Sequence, residues 1–243
     1  MSPIADAIAR IRRAMQAAAI RAGRLPTEIT LIAAAKGASI VQIEEAWHAG
    51  VHVFGENRVQ EARGKWMGFC PHPPAVLPAL HLIGPLQTNK VKQAVGFFEV
   101  IHSVDTVDLA QSIQRQAERL SITQAVLIQV NLGDEPTKRG VPSAHVFALI
   151  DAVRRLPNLA LLGLMAIPPR VAHPESARVH FAALRQIGRQ HQLHHFSMGM
   201  SSDFEVAIEE GATWVRVGQA IFVPPNRLDP AEGSPPITTQ FLP

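Results

Sequence analysis

The chain has 243 residues, of which 47% are hydrophobic and 18% charged, and its formal net charge at pH 7 is +3. This composition is typical of a globular protein with a sizeable core, and it lacks the basic, aromatic-rich blocks that favour nucleic acid as a partner. No apolar run approaches the roughly 18 residues that a membrane-spanning helix needs, so no membrane association is expected. The single cysteine, Cys70, excludes an internal disulfide and favours a reducing cytoplasm.

Helical and strand-like patterns alternate along the whole chain. An amphipathic helix is predicted over 4–21. Short apolar runs predict strands at 31–36, 51–55, 80–84, 98–103, 125–131, 159–167, 195–199 and 214–222. Amphipathic segments predict the intervening helices at 39–49, 56–67, 87–95, 107–120, 143–155, 174–191 and 203–210.

Eight strands that alternate with helices predict an α/β fold with a parallel sheet, most simply a closed (β/α)8 TIM barrel. An open doubly wound sheet is the alternative, but it would normally carry a glycine-rich nucleotide turn after its first strand, and residues 36–39 are not one. We expect one barrel domain over 1–223, with its extra N-terminal helix, and a Pro-rich tail over 224–243. The Pro-rich connection at 70–78 is interpreted as a surface loop.

Lys36 ends the first predicted strand, after the apolar run 31–35. A lysine held partly out of water has a lowered pKa, and its neutral amine can form a Schiff base with an aldehyde. The simpler interpretation is that Lys36 reaches solvent at a strand end.

Polar residues follow the other predicted strands, and in a barrel all these exits lie on one face. After the seventh strand, residues 199–203 supply a glycine, two hydroxyls and a helix start, and Gly218 follows the eighth strand. Such loops often hold phosphate, although Ser201, Ser202 and Asp203 could instead only cap a helix. An amine at one side and an anion site at the other would together fit pyridoxal 5'-phosphate (PLP).

Several sequence blocks closely resemble the YggS/PROSC family of pyridoxal phosphate homeostasis proteins. The resemblance runs in order from about residue 4 to 222. Its blocks are Ala35-Lys36, FGENRVQE at 54–61, HLIGPLQTNK at 81–90, SVD at 103–105, SMGMSSD at 197–203 and VRVG at 215–218. It implies a barrel similar to the amino-terminal barrel of alanine racemase (PLP fold type III).

The resemblance also implies a role for individual residues. Lys36 would be the Schiff-base lysine, and Arg216 would approach the pyridine nitrogen. Ser201, Gly218 and the amide of Gln219 would hold the phosphate. Asn57 and Met200 would line the ring pocket. Lys138, in a loop with Asn131 and Gly140, could be a secondary aldehyde acceptor.

Family members have no accepted enzymatic reaction, so the expected function is to hold PLP and maintain its homeostasis. PLP-dependent apoenzymes are possible recipients, and a monomer is expected. A racemase-like PLP enzyme, with His81, Asp105 or His195 as its second base, is one alternative, and a Schiff-base aldolase-like barrel is another. Arginine stays charged and only donates, so Arg216 would leave the ring nitrogen unprotonated and weaken its electron sink. The chain also has no tyrosine, the second acid/base of alanine racemases.

Overall fold

We describe a computed structural model of the chain over residues 2–69, 77–133, 138–169 and 171–223. Cys70, most of the predicted 70–78 connection and the predicted tail lie outside these residues. The strands are β1 Thr30–Ala34, β2 Val53–Glu56, β3 Ala79–Leu82, β4 Val100–Val104, β5 Gln124–Asn131, β6 Val141–Pro142, β7 Leu159–Ala166, β8 His195–Ser197 and β9 Trp214–Val217. The α-helices are α1 Pro3–Arg21, α2 Ile40–His48, α3 Val59–Trp66, α4 Val91–Ala94, α5 Val107–Arg119, α6 Val146–Arg154, α7 Arg178–Gln190, α8 Phe204–Glu209 and α9 Gln219–Phe222. Short 3-10 turns lie at Pro26–Glu28, Thr88–Lys90, Ser143–His145 and Pro174–Ala177.

The sheet is parallel throughout and closes on itself. The strand order is β4-β3-β2-β1-β9-β8-β7-β5-β6, and β4 also pairs with β5. Eight strands therefore form the barrel, and the two-residue β6 adds to the carboxyl end of β5. The predicted (β/α)8 barrel is confirmed, and the open doubly wound sheet is wrong.

Several predicted boundaries differ from the structure, and two of them differ for clear local reasons. The strand predicted over 214–222 ends at Val217, because the backbone turns at Gly218 (φ −123°, ψ −69°) and the carbonyl of Gly218 then accepts the amides of Ile221 and Phe222 to begin α9. The helix predicted from residue 56 begins at Val59, because Glu56 still pairs with Leu82 in the sheet. Apolar content alone does not separate a strand from a short buried helix.

Helix α1 packs on the outside of the barrel, and its existence was predicted from its amphipathic pattern. One face buries Ile8 and Ile11 in the main core. Arg24 donates from Nη1 to the carbonyls of Ile208 and Ala212, both at 2.8 Å, and Arg21 pairs with Glu205 and Glu209 of α8. Arg21 therefore joins α1 to α8 directly, and Arg24, just after α1, adds bonds to the end of α8 and to the turn that follows it. Among the described residues, no helix is long and apolar enough to cross a membrane.

A glycine allows two neighbouring strands of the barrel to approach closely. Gly163 in β7 faces His195 in β8, and a Cβ added at Gly163 would lie 1.8 Å from the carbonyl oxygen of His195. The atoms in contact belong to the backbone of His195, so rotation of a side chain cannot relieve the clash. The close pairing of β7 with β8 therefore requires glycine at this position.

We expect Gly163→Ala to lower the free energy of unfolding by about 3 kcal/mol, because the added methyl must displace a strand backbone. Gly64→Ala is the matched control, since Gly64 lies in α3 with no atom within 4 Å of an added Cβ. It should raise stability by about 0.5 to 1 kcal/mol through helix propensity. Urea unfolding of both variants measures the difference, and equal stability would contradict the steric account.

Candidate functional site

The carboxyl end of β1 carries Lys36 to the rim of the barrel. The amide of Ala35 donates to the carbonyl of Gly55 (2.9 Å), and Ser39 then caps α2 by accepting from the amide of Gln42 (3.3 Å). Lys36 is exposed, which agrees with the simpler interpretation that it reaches solvent at a strand end and not with a lysine held partly out of water. Its position at the strand exit is as predicted.

A cavity of about 560 Å³ opens beside Lys36. Asn57 and Gln87 line it, and so do three further cationic side chains, those of Arg58, Lys90 and Arg139. The one acid in the lining, Glu61, accepts from Arg58 at 2.8 Å. Four cations against one carboxylate favour an anionic ligand.

The position of Asn57 is fixed because its backbone packs closely against a neighbouring strand exit. Gly84, at the exit of β3, packs directly against it, and a Cβ added at Gly84 would lie 2.2 Å from the carbonyl oxygen of Asn57. The amide of Ile83 also donates to the carbonyl of Glu56, one residue earlier (2.9 Å). The exits of β2 and β3 therefore form one rigid wall of the cavity.

The loop after β8 is a tight turn around Gly199, whose φ of +88° favours glycine. The buried carboxylate of Asp203 accepts from the amide of Met200 (2.6 Å). Asp203 occupies the N-cap position of α8, but its side chain makes no capping bond to the helix, so the interpretation as a side-chain cap is wrong for Asp203. Met200 is exposed, and Ser201 lines a separate cavity of about 300 Å³ on the side of Arg21 and Glu209.

The loop after β9 lies between the loop after β8 and the end of β1. The amide of Arg216 donates to the carbonyl of Gly199 (3.0 Å), and a Cβ added at Gly218 would lie 2.9 Å from the carbonyl oxygen of Ala34. The next residue, Gln219, is exposed at the start of α9. Among the described residues, the amides of Ser201 and Gln219 have no hydrogen-bond partner. The loop after β9 thus presents an unused amide, that of Gln219, next to Gly218, which packs against the end of β1. The loop after β8 presents a second one at Ser201.

Arg216 is buried in the barrel interior with 4% of its surface exposed. Its guanidinium donates to Ser197 Oγ (2.7 Å) and to the carbonyl of Ala166 (3.0 Å). Among the described residues no carboxylate pairs with it directly, although the charge of Asp203 acts on it over a longer distance. Burial therefore lowers the pKa of Arg216 to about 10, which leaves it charged at neutral pH.

The Arg216 contacts continue into a buried histidine pair. Ser197 Oγ lies 2.9 Å from His102 Nδ1, and His102 Nε2 lies 3.0 Å from His81 Nδ1. Each histidine needs only one ring proton to complete this series, so both fit the neutral form. Burial lowers the pKa of His81 to about 4 and that of His102 well below its ordinary value. Trp214 packs against both rings, at 5.1 and 5.2 Å between centroids.

The three residues considered as the second base of a racemase-like enzyme, His81, Asp105 and His195, occupy different places in the barrel. His81 is 3% exposed and hydrogen-bonded to His102, which removes it from the rim. His195 begins β8 and so lies at the opposite end of the barrel from Lys36. Asp105 follows β4 at the rim, where burial raises its pKa, in part offset by Arg139 and the amide of Gly140.

The loop after β5 folds back and contacts the end of that same strand. The side-chain amide of Asn131 donates to the carbonyl of Lys138 (3.4 Å), and a Cβ at Gly140 would lie 2.7 Å from the amide of Asn131. The structure therefore brings Asn131, Lys138 and Gly140 together. The aldehyde-accepting role of Lys138 stays a prediction.

The structure thus brings Lys36 and Asn57 into one cavity and places Gly218 against the neighbouring strand end, while Ser201 lines a different cavity. The sequence did not single out Ser197 or His102 in the interior, or Lys90 and Arg139 at the rim. Ser197 and His102 could have been found from the inward alternation along β8 and β4. Lys90 ends the 3-10 turn Thr88–Lys90, inside the segment predicted as a helix, and the helical pattern gave it no role in a site. Arg139 lies in the loop after β5, which has no periodic signal.

Comparisons with known proteins agree with this arrangement. The sequence model of the family described as alanine racemase, N-terminal domain, matches residues 7–224. An alanine racemase of Clostridium difficile shares the fold, with a TM-score of 0.66 and 13% identity over 87% of this chain and 55% of that chain.

Closer relatives define the family more narrowly. The pyridoxal phosphate homeostasis protein of Aquifex aeolicus is 43% identical over 223 residues, which covers 89% of this chain and 96% of the relative. PipY of Synechococcus elongatus, in a structure with PLP bound, is 34% identical, with a TM-score of 0.77 over 90% of this chain and 99% of that chain. The chain therefore belongs to the family of pyridoxal phosphate homeostasis proteins, whose barrel is that of the alanine racemase amino-terminal domain.

We predict that the buried histidines make the protein acid-sensitive. Below about pH 6.5 the unfolded chain binds a proton at His81, whereas the native state stays neutral there down to about pH 4. Stability should therefore fall across this window as the pH decreases, by about 3 kcal/mol from His81 alone. Urea unfolding at several pH values measures the slope.

His81→Gln is the comparison variant, because its side-chain oxygen can still accept from His102 and does not titrate. Its stability should change less steeply with pH than that of the natural sequence. Parallel slopes would contradict a neutral buried His81.

Proposed function

We propose that this chain binds PLP through Lys36 and serves in PLP homeostasis. The observation that carries the proposal is the packing of Gly218 against Ala34, which brings the loop after β9 to the strand end that precedes Lys36. A ligand with a reactive carbonyl at one end and an anion at the other could use both groups. The bound PLP of the PipY relative supports this choice of ligand.

The residues present fit such a ligand. The aldehyde of PLP would condense with the Lys36 amine, with formation of one C=N bond and release of one water. We assign phosphate binding to the close backbone at Gly218 and to the amide of Gln219, because unpaired amides at such loops favour anions. Ser201 stays a predicted phosphate contact through its unpaired amide, although the residue lines the separate cavity of about 300 Å³. Asn57 and Met200 would border the ring.

Arg216 would face the pyridine nitrogen with a fixed positive charge. Ser197 and the carbonyl of Ala166 hold its guanidinium, which only donates hydrogen bonds and stays charged at neutral pH. A proton on the ring nitrogen is therefore disfavoured, and the ring is a weaker electron sink. With His81 sealed in the interior, the proposed role is to hold and release PLP without turnover.

We extend the proposal to the context of the protein. The barrel with its N-terminal helix would be one domain over 1–223, followed by a tail over 224–243. We propose a cytoplasmic monomer, with PLP-dependent apoenzymes as recipients of PLP. The single cysteine is in keeping with a reducing compartment. Light scattering after size-exclusion chromatography tests the monomer, since a particle mass of twice 26.4 kDa would contradict it.

We expect Lys36→Ala to abolish covalent attachment of PLP while weaker binding through the phosphate remains. The protein is mixed with PLP, reduced with borohydride and mapped by mass spectrometry, and equilibrium dialysis measures the remaining affinity. A full covalent label in this variant would transfer the role to Lys138 and contradict the assignment of Lys36. A natural sequence that takes up no PLP would overturn the proposed function.

We expect Gly218→Ala to weaken PLP binding at least tenfold, because the added methyl presses on the carbonyl of Ala34 and moves the loop that would hold the phosphate. Gly68→Ala is the control, since nothing lies within 4 Å of its added Cβ. Titration with PLP gives both dissociation constants. Equal affinities would exclude the loop after β9 from the phosphate site. Pyridoxal, which lacks the phosphate, should bind both variants alike.

A further inference from the structure

A lysine on α3 contacts the backbone immediately before Lys36. The ammonium of Lys65 donates to the carbonyl of Ala35 at 2.7 Å and to Oε1 of Glu56 at 2.8 Å. The Lys65 side chain is 17% exposed and that of Glu56 is 1% exposed. One cation therefore links helix α3 to the ends of β1 and β2.

Glu56 is itself held rigidly. Its Oε1 also accepts from Trp66 Nε1 at 2.8 Å, and its backbone pairs with Leu82 in the sheet. Trp66 packs against Phe54 and Phe69, with ring centroids 5.1 Å apart in both pairs. The acid thus has a fixed position, and it fixes the lysine that pairs with it.

The carbonyl that Lys65 contacts controls the direction of Lys36. A peptide unit is planar, so the oxygen of Ala35 lies in one plane with the nitrogen and Cα of Lys36. The same oxygen accepts from the amide of Ala38 at 3.1 Å. With two donors on one oxygen, the plane cannot rotate without the loss of a hydrogen bond, and the Cα of Lys36 keeps its orientation.

Packing alone does not explain this pair. Charged groups buried in a protein interior lose hydration, and apolar residues of similar volume are often at least as stabilising. Glu56 Oε2 is buried without a hydrogen-bond partner among the described residues, so the pair leaves some hydrogen-bonding capacity unused. An apolar residue at position 65 could fill the same space, but it could not donate a hydrogen bond to the carbonyl of Ala35.

We propose that Lys65, held by Glu56, is a positioning residue that orients Lys36 for its reaction with the PLP aldehyde. The inference rests on the proposed function, because it takes Lys36 as the reacting amine. Lys65 itself is not among the residues that line the cavity beside Lys36. Its role is to fix the peptide plane that sets where the amine of Lys36 can reach.

The test compares three variants with the natural sequence. Lys65→Met removes the donor but leaves Glu56 as an unpaired buried acid. The double variant Glu56→Gln with Lys65→Met also removes that charge, while the glutamine oxygen can still accept from Trp66. Lys92→Met is the matched control, because Lys92 is exposed on α4.

Two measurements separate positioning from stability. Hydrogen exchange of the Ala38 amide, followed by NMR without PLP, reports how firmly the carbonyl of Ala35 is held. The rate of borohydride-fixed pyridoxyl labelling of Lys36 reports its reaction. Urea unfolding records stability in parallel, and the exchange of the Ile128 amide, deep in β5, corrects for global opening.

We expect the double variant to be more stable than Lys65→Met. Compared with the natural sequence, however, its Ala38 amide should exchange at least tenfold faster, and its Lys36 should be labelled at least tenfold more slowly. Lys92→Met should match the natural sequence in both measurements. The proposal is overturned if the double variant labels Lys36 within twofold of the natural rate, or if its Ala38 exchange is unchanged. A natural sequence that never labels Lys36 refutes the proposed function instead, while the exchange result still decides whether Lys65 anchors the backbone.

Discussion

The closure of a parallel sheet is the constraint on which the rest of this structure depends. Because all barrel strands run in one direction, their carboxyl ends meet at a single rim, and loops that are far apart in sequence become neighbours there. Within this sheet, Gly163 is required where β7 pairs with β8, because the two backbones lie close together there. The same geometry brings the loop after β9 against the end of β1, beside the residue that leads to Lys36.

One half-buried cation and one buried cation show how the barrel accommodates charge near this rim. Lys65 lies outside the sheet and is neutralised by Glu56. Arg216 lies inside it and is held by a hydroxyl and a carbonyl, with Asp203 acting only at a distance. Because the partners of Arg216 are neutral, its positive charge is not cancelled, whereas the Lys65–Glu56 pair has no net charge. The interior therefore presents a fixed positive charge that neighbouring neutral histidines do not cancel.

Much of the fold could be predicted because the apolar pattern switches repeatedly between strand and helix periods, and eight such switches lead most simply to a barrel. The segment at 214–222 failed because an apolar run does not distinguish a strand from a strand followed by a short buried helix, and only the turn at Gly218 does so. The sequence blocks around Lys36, Asn57 and residues 197–203 identified the family. They did not reveal that Ser201 lines a different cavity from Lys36, since that depends on how each loop folds.

The sequence by itself determined the alternation of elements, the placement of Lys36 at a strand exit and the family to which the chain belongs, because these follow from local periodicity and short contiguous blocks. The tertiary structure decided which groups touch. Lys65 meets the carbonyl of Ala35 across 30 positions, and His102 meets Ser197 across 95. Neither contact leaves a local pattern, because each arises only when the sheet closes and the helices pack on it. The exposure of Lys36 was likewise decided by the loops around it, which no property of the run 31–36 specifies.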